Sequence, residues 1–181
     1  FCEHKGIDLL VECFSKASPE NLELGLAHAI IAVISNLKCA INVNNLIPKL
    51  VLLRTYVIKY LCKIPDRELR ISSNRNMFEF MWSVIKDPYD PRCVIDKEGL
   101  ALALKYFTSS TLTMRLAGIT QINNYISLFN EYCRTEDSLP QRQNDGEELV
   151  EWILDNKIIE HIFGPNLHVE VIKQSHIVLN F

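Results

Sequence analysis

No stretch of about 18 uninterrupted apolar residues occurs in these 181 residues, so the chain offers no ordinary membrane-spanning helix. No signal or transit peptide is visible either. Strand patterns are scarce. Neither a Cys-x-x-Cys pair nor an Asn-x-Ser/Thr acceptor is present, and Cys2, Cys13, Cys39, Cys62, Cys93 and Cys133 stand far apart, several inside apolar helical patterns. Thiols so placed pack as small hydrophobes, buried or partly buried. A reducing cytoplasmic setting, with the nucleus as a second location, is therefore expected over secretion.

A dominant charge of one sign is also missing. Nineteen basic against 22 acidic residues leave a net charge of -3, which gives no electrostatic footprint for nucleic acid or an anionic membrane. Residues 49–75 hold seven bases against Asp66 and Glu68, and residues 131–160 hold nine acids against three bases. Solvated helix faces account for both, and neither nucleic acid nor membrane is an expected partner.

The chemistry-bearing motifs are absent as well: there is no Gly-rich phosphate loop, no GxSxG elbow and no HExxH. Cys2-Glu3-His4 supplies two ligands where zinc needs three or four. His168 and His176 are eight residues apart, about 12 Å along a helix, too far to share an ion. His176 is expected to pack with one ring nitrogen bonded, and His161 to sit at a helix end, where imidazole suits the carbonyl dipole. Asp87, Asp90, Asp96 and Glu98 lack the central glycine of a calcium loop and are interrupted by prolines. No catalytic residue, cofactor, metal or small-molecule ligand is expected.

What the chain does have is helix. Ile7, Leu10, Val11 and Phe14 form one stripe, and Ser18-Pro19-Glu20 then supplies a cap, a first-turn proline and a first-turn acid. Leu22, Leu26, Ala29, Ile30, Val33 and Leu37 continue at helical spacing. From a cap at Asn44 or Asn45, a central helix runs through Leu50, Leu53, Val57 and Leu61, with Pro48 in its first turn. Beyond Ser72-Ser73-Asn74 a fourth helix carries Met77, Phe78, Met81, Val84 and Ile85. The pair Asp87-Pro88 and Asp90-Pro91 marks the strongest loop. Asp96 caps the next helix, and a long one of about six turns follows Ser109-Ser110. The polar stretch 134–146 reads as an exposed loop, helix resumes at Glu147, and Gly164-Pro165-Asn166 breaks the chain. A final helix, capped by Asn166, buries Val169, Ile172, His176 and Leu179.

The expected fold is all-α, an armadillo/HEAT-like superhelix, because Gly6–Leu37 and Asn156–Phe181 share one pattern: short apolar helix, proline-containing break, longer helix. The whole chain, 1–181, reads as one helical region with a possible subdivision near 87–95. Opening on Phe1 and stopping inside an apolar pattern, it reads as part of something longer.

Two stretches resemble a known family in wording as well as rhythm. LTMRLAGITQI, within Thr111–Asn130, and EHIFGPNLHVEVIKQ, within Ile158–Phe181, are similar to the helical region of the giant ubiquitin-specific proteases of the puffyeye type; fat facets-type enzymes are more distant cousins. The resemblance implies a parent that removes ubiquitin from protein conjugates with a cysteine nucleophile lying elsewhere. The family's Cys box and His box are absent here, so no catalytic residue carries over. The expected function is a non-catalytic scaffold or recognition segment whose partners are ubiquitinated substrates or adaptor proteins; a freestanding helical-repeat adaptor is the alternative. Asn36 and Asn180 match the armadillo asparagines that hydrogen-bond a partner's backbone, although satisfying their own helix-end carbonyls is the commoner use. Trp82 and Trp152 are the aromatic anchor candidates, with core packing as their competing role.

Overall fold

The computed structural model describes residues 6–16, 24–38, 47–86, 95–135 and 139–181. Asn44 and Asn45, Ser18-Pro19-Glu20, Cys2-Glu3-His4, Asp87 and Asp90 lie outside the described residues, as do the side chains of Ile7, Phe14, Leu37, Met77 and Phe78. Every described element is an α-helix, with no strand among the described residues: α1 (Gly6–Lys16), α2 (Leu24–Lys38), α3 (Ile47–Lys63), α4 (Asp66–Leu69), α5 (Ser72–Ile85), α6 (Lys97–Phe107), α7 (Leu112–Thr135), α8 (Leu139–Asp155), α9 (Ile158–Phe163), α10 (Val169–Gln174) and α11 (His176–Leu179). The chain divides into two compact units, Phe1–Pro91 and Arg92–Phe181.

In the first unit α1 packs on α3, and α2 packs on α3 and α5. The apolar face of α3 is the one its spacing predicts: Leu50, Leu53, Val57, Ile58 and Leu61 are all buried, as are Met81, Val84 and Ile85 of α5. For α2 the expected face is turned. Ala27, Ile30 and Ile31 are buried, whereas Leu26 is 53% exposed and Ala29 is exposed. This helix is apolar on nearly every side, so spacing alone could not choose the face. Cys13 is exposed on α1, contrary to the expectation of a packed thiol.

One charge lies within that core. Arg54, 3% exposed, donates from Nε to the Ile85 carbonyl at 2.7 Å and from a terminal nitrogen to the Lys86 carbonyl at 3.3 Å. These carbonyls belong to the end of α5, where helical partners run out and the dipole is negative.

The second unit is built on α7, 24 residues and about 36 Å long. α6, α10 and α11 all pack on it. α6 is capped as its sequence predicts: Asp96 accepts from the Gly99 amide at 3.1 Å, and its other oxygen accepts from the Tyr125 hydroxyl at 2.9 Å. The two helices form an antiparallel hairpin that closes on two glycines. A Cβ on Gly99 would stand 1.9 Å from the Tyr125 hydroxyl, and one on Gly118 would stand 2.3 Å from the Phe107 amide nitrogen. The second approach is to backbone, so only a residue without a side chain permits it, whereas at Gly99 the near atoms are side-chain ends of Tyr125 and Asp96.

The carboxy-terminal helices differ from the expected single one. Ser175 interrupts it, donating from Oγ to the Val171 carbonyl at 2.7 Å, so α10 and α11 have six and four residues. The cap is His168, whose ring nitrogen accepts from the Glu170 amide at 3.2 Å, and not Asn166. The buried face is Val171, Ser175 and Val178, while Val169, His176 and Leu179 are exposed. Apolar residues at 169, 171, 172, 177, 178 and 179 leave several faces open, and contact with α7 selects one.

Such short helices cannot hold themselves together. Arg115 of α7, 6% exposed, donates to the Asn166 carbonyl and, at 3.2 Å, to the His161 carbonyl, and it lies 6.0 Å from the centre of the Phe107 ring. Burial lowers its pKa. Asn123, also on α7, donates to the Gln174 carbonyl at the end of α10.

Two outcomes follow. Gly118→Ala is expected to lower stability in urea unfolding by about 1–3 kcal/mol, because the clash is with backbone and exceeds the roughly 1 kcal/mol that alanine adds to a helix. Arg115→Met keeps the bulk but strands two carbonyls, and the same measurement should register a loss of about 2–3 kcal/mol.

Candidate interaction surface

The stretch 134–146, expected as a loop, is helical wherever it is described: α7 continues to Thr135 and α8 starts at Leu139. Pro140 lies in the first turn of α8, where its missing amide costs nothing. Gln141, Arg142, Gln143 and Glu147 after it are good helix formers. Asp145 is buried and Gly146 comes up to Phe129, a Cβ there standing 3.2 Å from its ring. Polar composition had concealed a packed helix whose repeat, Gly146, Leu149, Ile153, continues into the core.

That helix creates a groove of about 810 Å³ against the end of α7. Phe129, Val150 and Phe181 supply its apolar surface, with Phe181 set edge-on to Phe129 at 6.0 Å between centroids. Cys133 lines it, as do Arg142, Gln143, Glu147 and Glu151. Val150 is 42% and Phe181 39% exposed, large apolar side chains left facing water.

A second, smaller cleft of about 260 Å³ flanks α8 and contains Trp152, together with Ile95, Leu100, Glu151 and Asp155. Lys97 of α6 forms an ion pair with Glu148 of α8 at its edge. The hydrogen bond that Lys97 donates to Glu148 raises the Lys97 pKa. On α10, the hydrogen bond from Lys173 lowers that of Glu170. Both shifts reinforce charges already present in neutral water, so neither group becomes an acid or base poised for catalysis.

The four singled-out residues lie apart in sequence and setting. Asn36 is exposed in the last turn of α2, and Trp82 is half-buried on α5. Trp152 is half-buried in the smaller cleft. Asn180 is exposed and donates to the His176 carbonyl at 2.6 Å, a local helix-end bond. His176 is bonded through Nδ1 to the Lys173 carbonyl region at 3.2 Å but is exposed, not packed. Among the described residues no group of three or more His, Cys, Asp or Glu side chains could hold a metal ion, and no helix is long and apolar enough to cross a membrane.

Replacing Phe181 by alanine removes the edge-on pair while leaving the helices capped. A modest loss of stability, about 1 kcal/mol in urea unfolding, is expected from an aromatic pair of this kind.

No family model and no solved structure matches the chain. Curated relatives do. Over an alignment of 182 residues that covers the whole chain, it is 46% identical to ubiquitin carboxyl-terminal hydrolase 34 of Homo sapiens, and equally to that of Mus musculus. It is 44% identical over 181 residues to ubiquitin carboxyl-terminal hydrolase puf of Drosophila melanogaster. The similarity thus extends well beyond the two stretches that carried the resemblance in the sequence. It covers 5% of the first two proteins and 4% of the third. The chain is therefore a relative, from its first residue to its last, of one short segment of giant ubiquitin carboxyl-terminal hydrolases.

Proposed function

We propose that this chain is a non-catalytic, armadillo-like helical segment of a ubiquitin carboxyl-terminal hydrolase, and that it recognises a protein partner, a ubiquitinated substrate or an adaptor, through the groove between α7 and α8. The full-length similarity to those hydrolases supports the parent. The observation that carries the recognition role is the groove itself, whose exposed Val150 and Phe181 are apolar side chains of the sort that partners cover. Its mechanism is positional. Holding a conjugate beside a distant active site raises the local concentration of the linkage to be cut, with no chemistry done by the segment. The setting is the cytoplasm, with the nucleus as a second location.

The test uses ubiquitin joined to a fluorogenic leaving group. The purified 181-residue chain is expected to release none of it, and turnover above buffer would overturn the reading. In the full-length hydrolase, Val150→Asp should leave kcat/KM on this minimal substrate unchanged while slowing removal of ubiquitin from protein conjugates. Equal loss on both substrates would count against a recognition role.

A further inference from the structure

We propose that the groove between α7 and α8 takes an amphipathic helix of a partner protein in one polarity, with a carboxylate at the Arg142 end and a cation at the Glu151 end. The inference rests on the recognition role proposed above and specifies the partner's chemistry.

Three observations carry it. First, Arg142 lines an otherwise largely apolar groove, and among the described residues its Nε has no acceptor. A guanidinium at an apolar groove can receive a partner's carboxylate in charge-assisted form. Second, the opposite end is acidic. Glu147 is exposed and accepts from Gln143 at 2.9 Å, and Glu151 is exposed as well. Arg142 and Glu151 are nine residues apart on one helix, about 13.5 Å, so the groove presents plus and minus with apolar surface between them. Third, the walls are helices, whose interior amides and carbonyls are already bonded to one another. An extended peptide would find no backbone to pair with, whereas a helix satisfies its own. An acid at the amino-terminal end of that helix and a base further on also suit its own dipole.

The probes are two synthetic peptides of about 18 residues, long enough to hold a helix, with the same apolar stripe. One carries Glu near its amino terminus and Lys nine positions on, matching the spacing from Arg142 to Glu151. The other has the two exchanged. Fluorescence anisotropy with the whole 181-residue chain is expected to give the first peptide about tenfold tighter binding, the worth of a hydrogen bond between charged groups. Arg142→Glu combined with Glu151→Arg should invert the order. Arg142→Gln combined with Glu151→Gln, which retains the size and is the variant to use if circular dichroism finds the reversal unfolded, should erase the preference. Equal affinity for both peptides, a preference that survives the double glutamine change, or no binding of either peptide to folded chain would each overturn the proposal. None of those results touches the comparison of the fluorogenic substrate with protein conjugates, on which the recognition reading stands or falls separately.

Discussion

Arg115 is the point on which the second unit turns. Helices of six, six and four residues have too few internal bonds to persist in water, and their ends expose carbonyls that a packed interior cannot leave unanswered. A long helix can spare a side chain for that task. α7 does so twice, through the guanidinium of Arg115 to the carbonyls at 161 and 166 and through the amide of Asn123 to the carbonyl at 174. Arg54 serves the end of α5 in the first unit in the same way. In each unit a cation is taken out of water, and neutralised carbonyl ends are what that desolvation obtains in return.

Much of the helical order was legible in advance because it rests on local rules. The cap at Asp96, the long helix after Ser109-Ser110 and the buried stripe of α3 follow from capping chemistry and period alone. The failures over which face is buried share a cause. In α2, and again in α10 and α11, apolar residues occur at adjacent positions, so several faces satisfy the same period and only tertiary contact decides among them. The stretch 134–146 was misjudged because polarity was read as exposure, yet Gln, Arg and Glu are favourable helix residues and Leu149 and Ile153 continue the inward face. The groove depends on that helix and was therefore invisible from sequence, although its apolar members Phe129, Val150 and Phe181 stood in plain view. Arg54 and Arg115 were hidden for another reason: nothing local distinguishes a basic residue that reaches a distant helix end from one that faces water.

The likeness to a small fraction of very large hydrolases is the setting in which the proposed role makes sense. In such enzymes binding energy collected far from the cleaved bond can still raise the rate on a tethered conjugate, since a linked site works through effective concentration and not through contact with the transition state. On this view the groove's value lies in what it excludes as much as in what it holds: a surface with charge of opposite sign at its two ends rejects a partner presented backwards.

The two glycines of the α6–α7 hairpin act together in a way neither does alone. Gly99 meets Tyr125 near one end and Gly118 meets Phe107 near the other. If α6 slid along α7 by one helical step, side chains would be driven into both places at once, with backbone on the far side at Phe107 that cannot yield. The hairpin is thus a lock with a single notch at each end. Its axial position is a digital quantity, and everything docked on α7 inherits a fixed address along it.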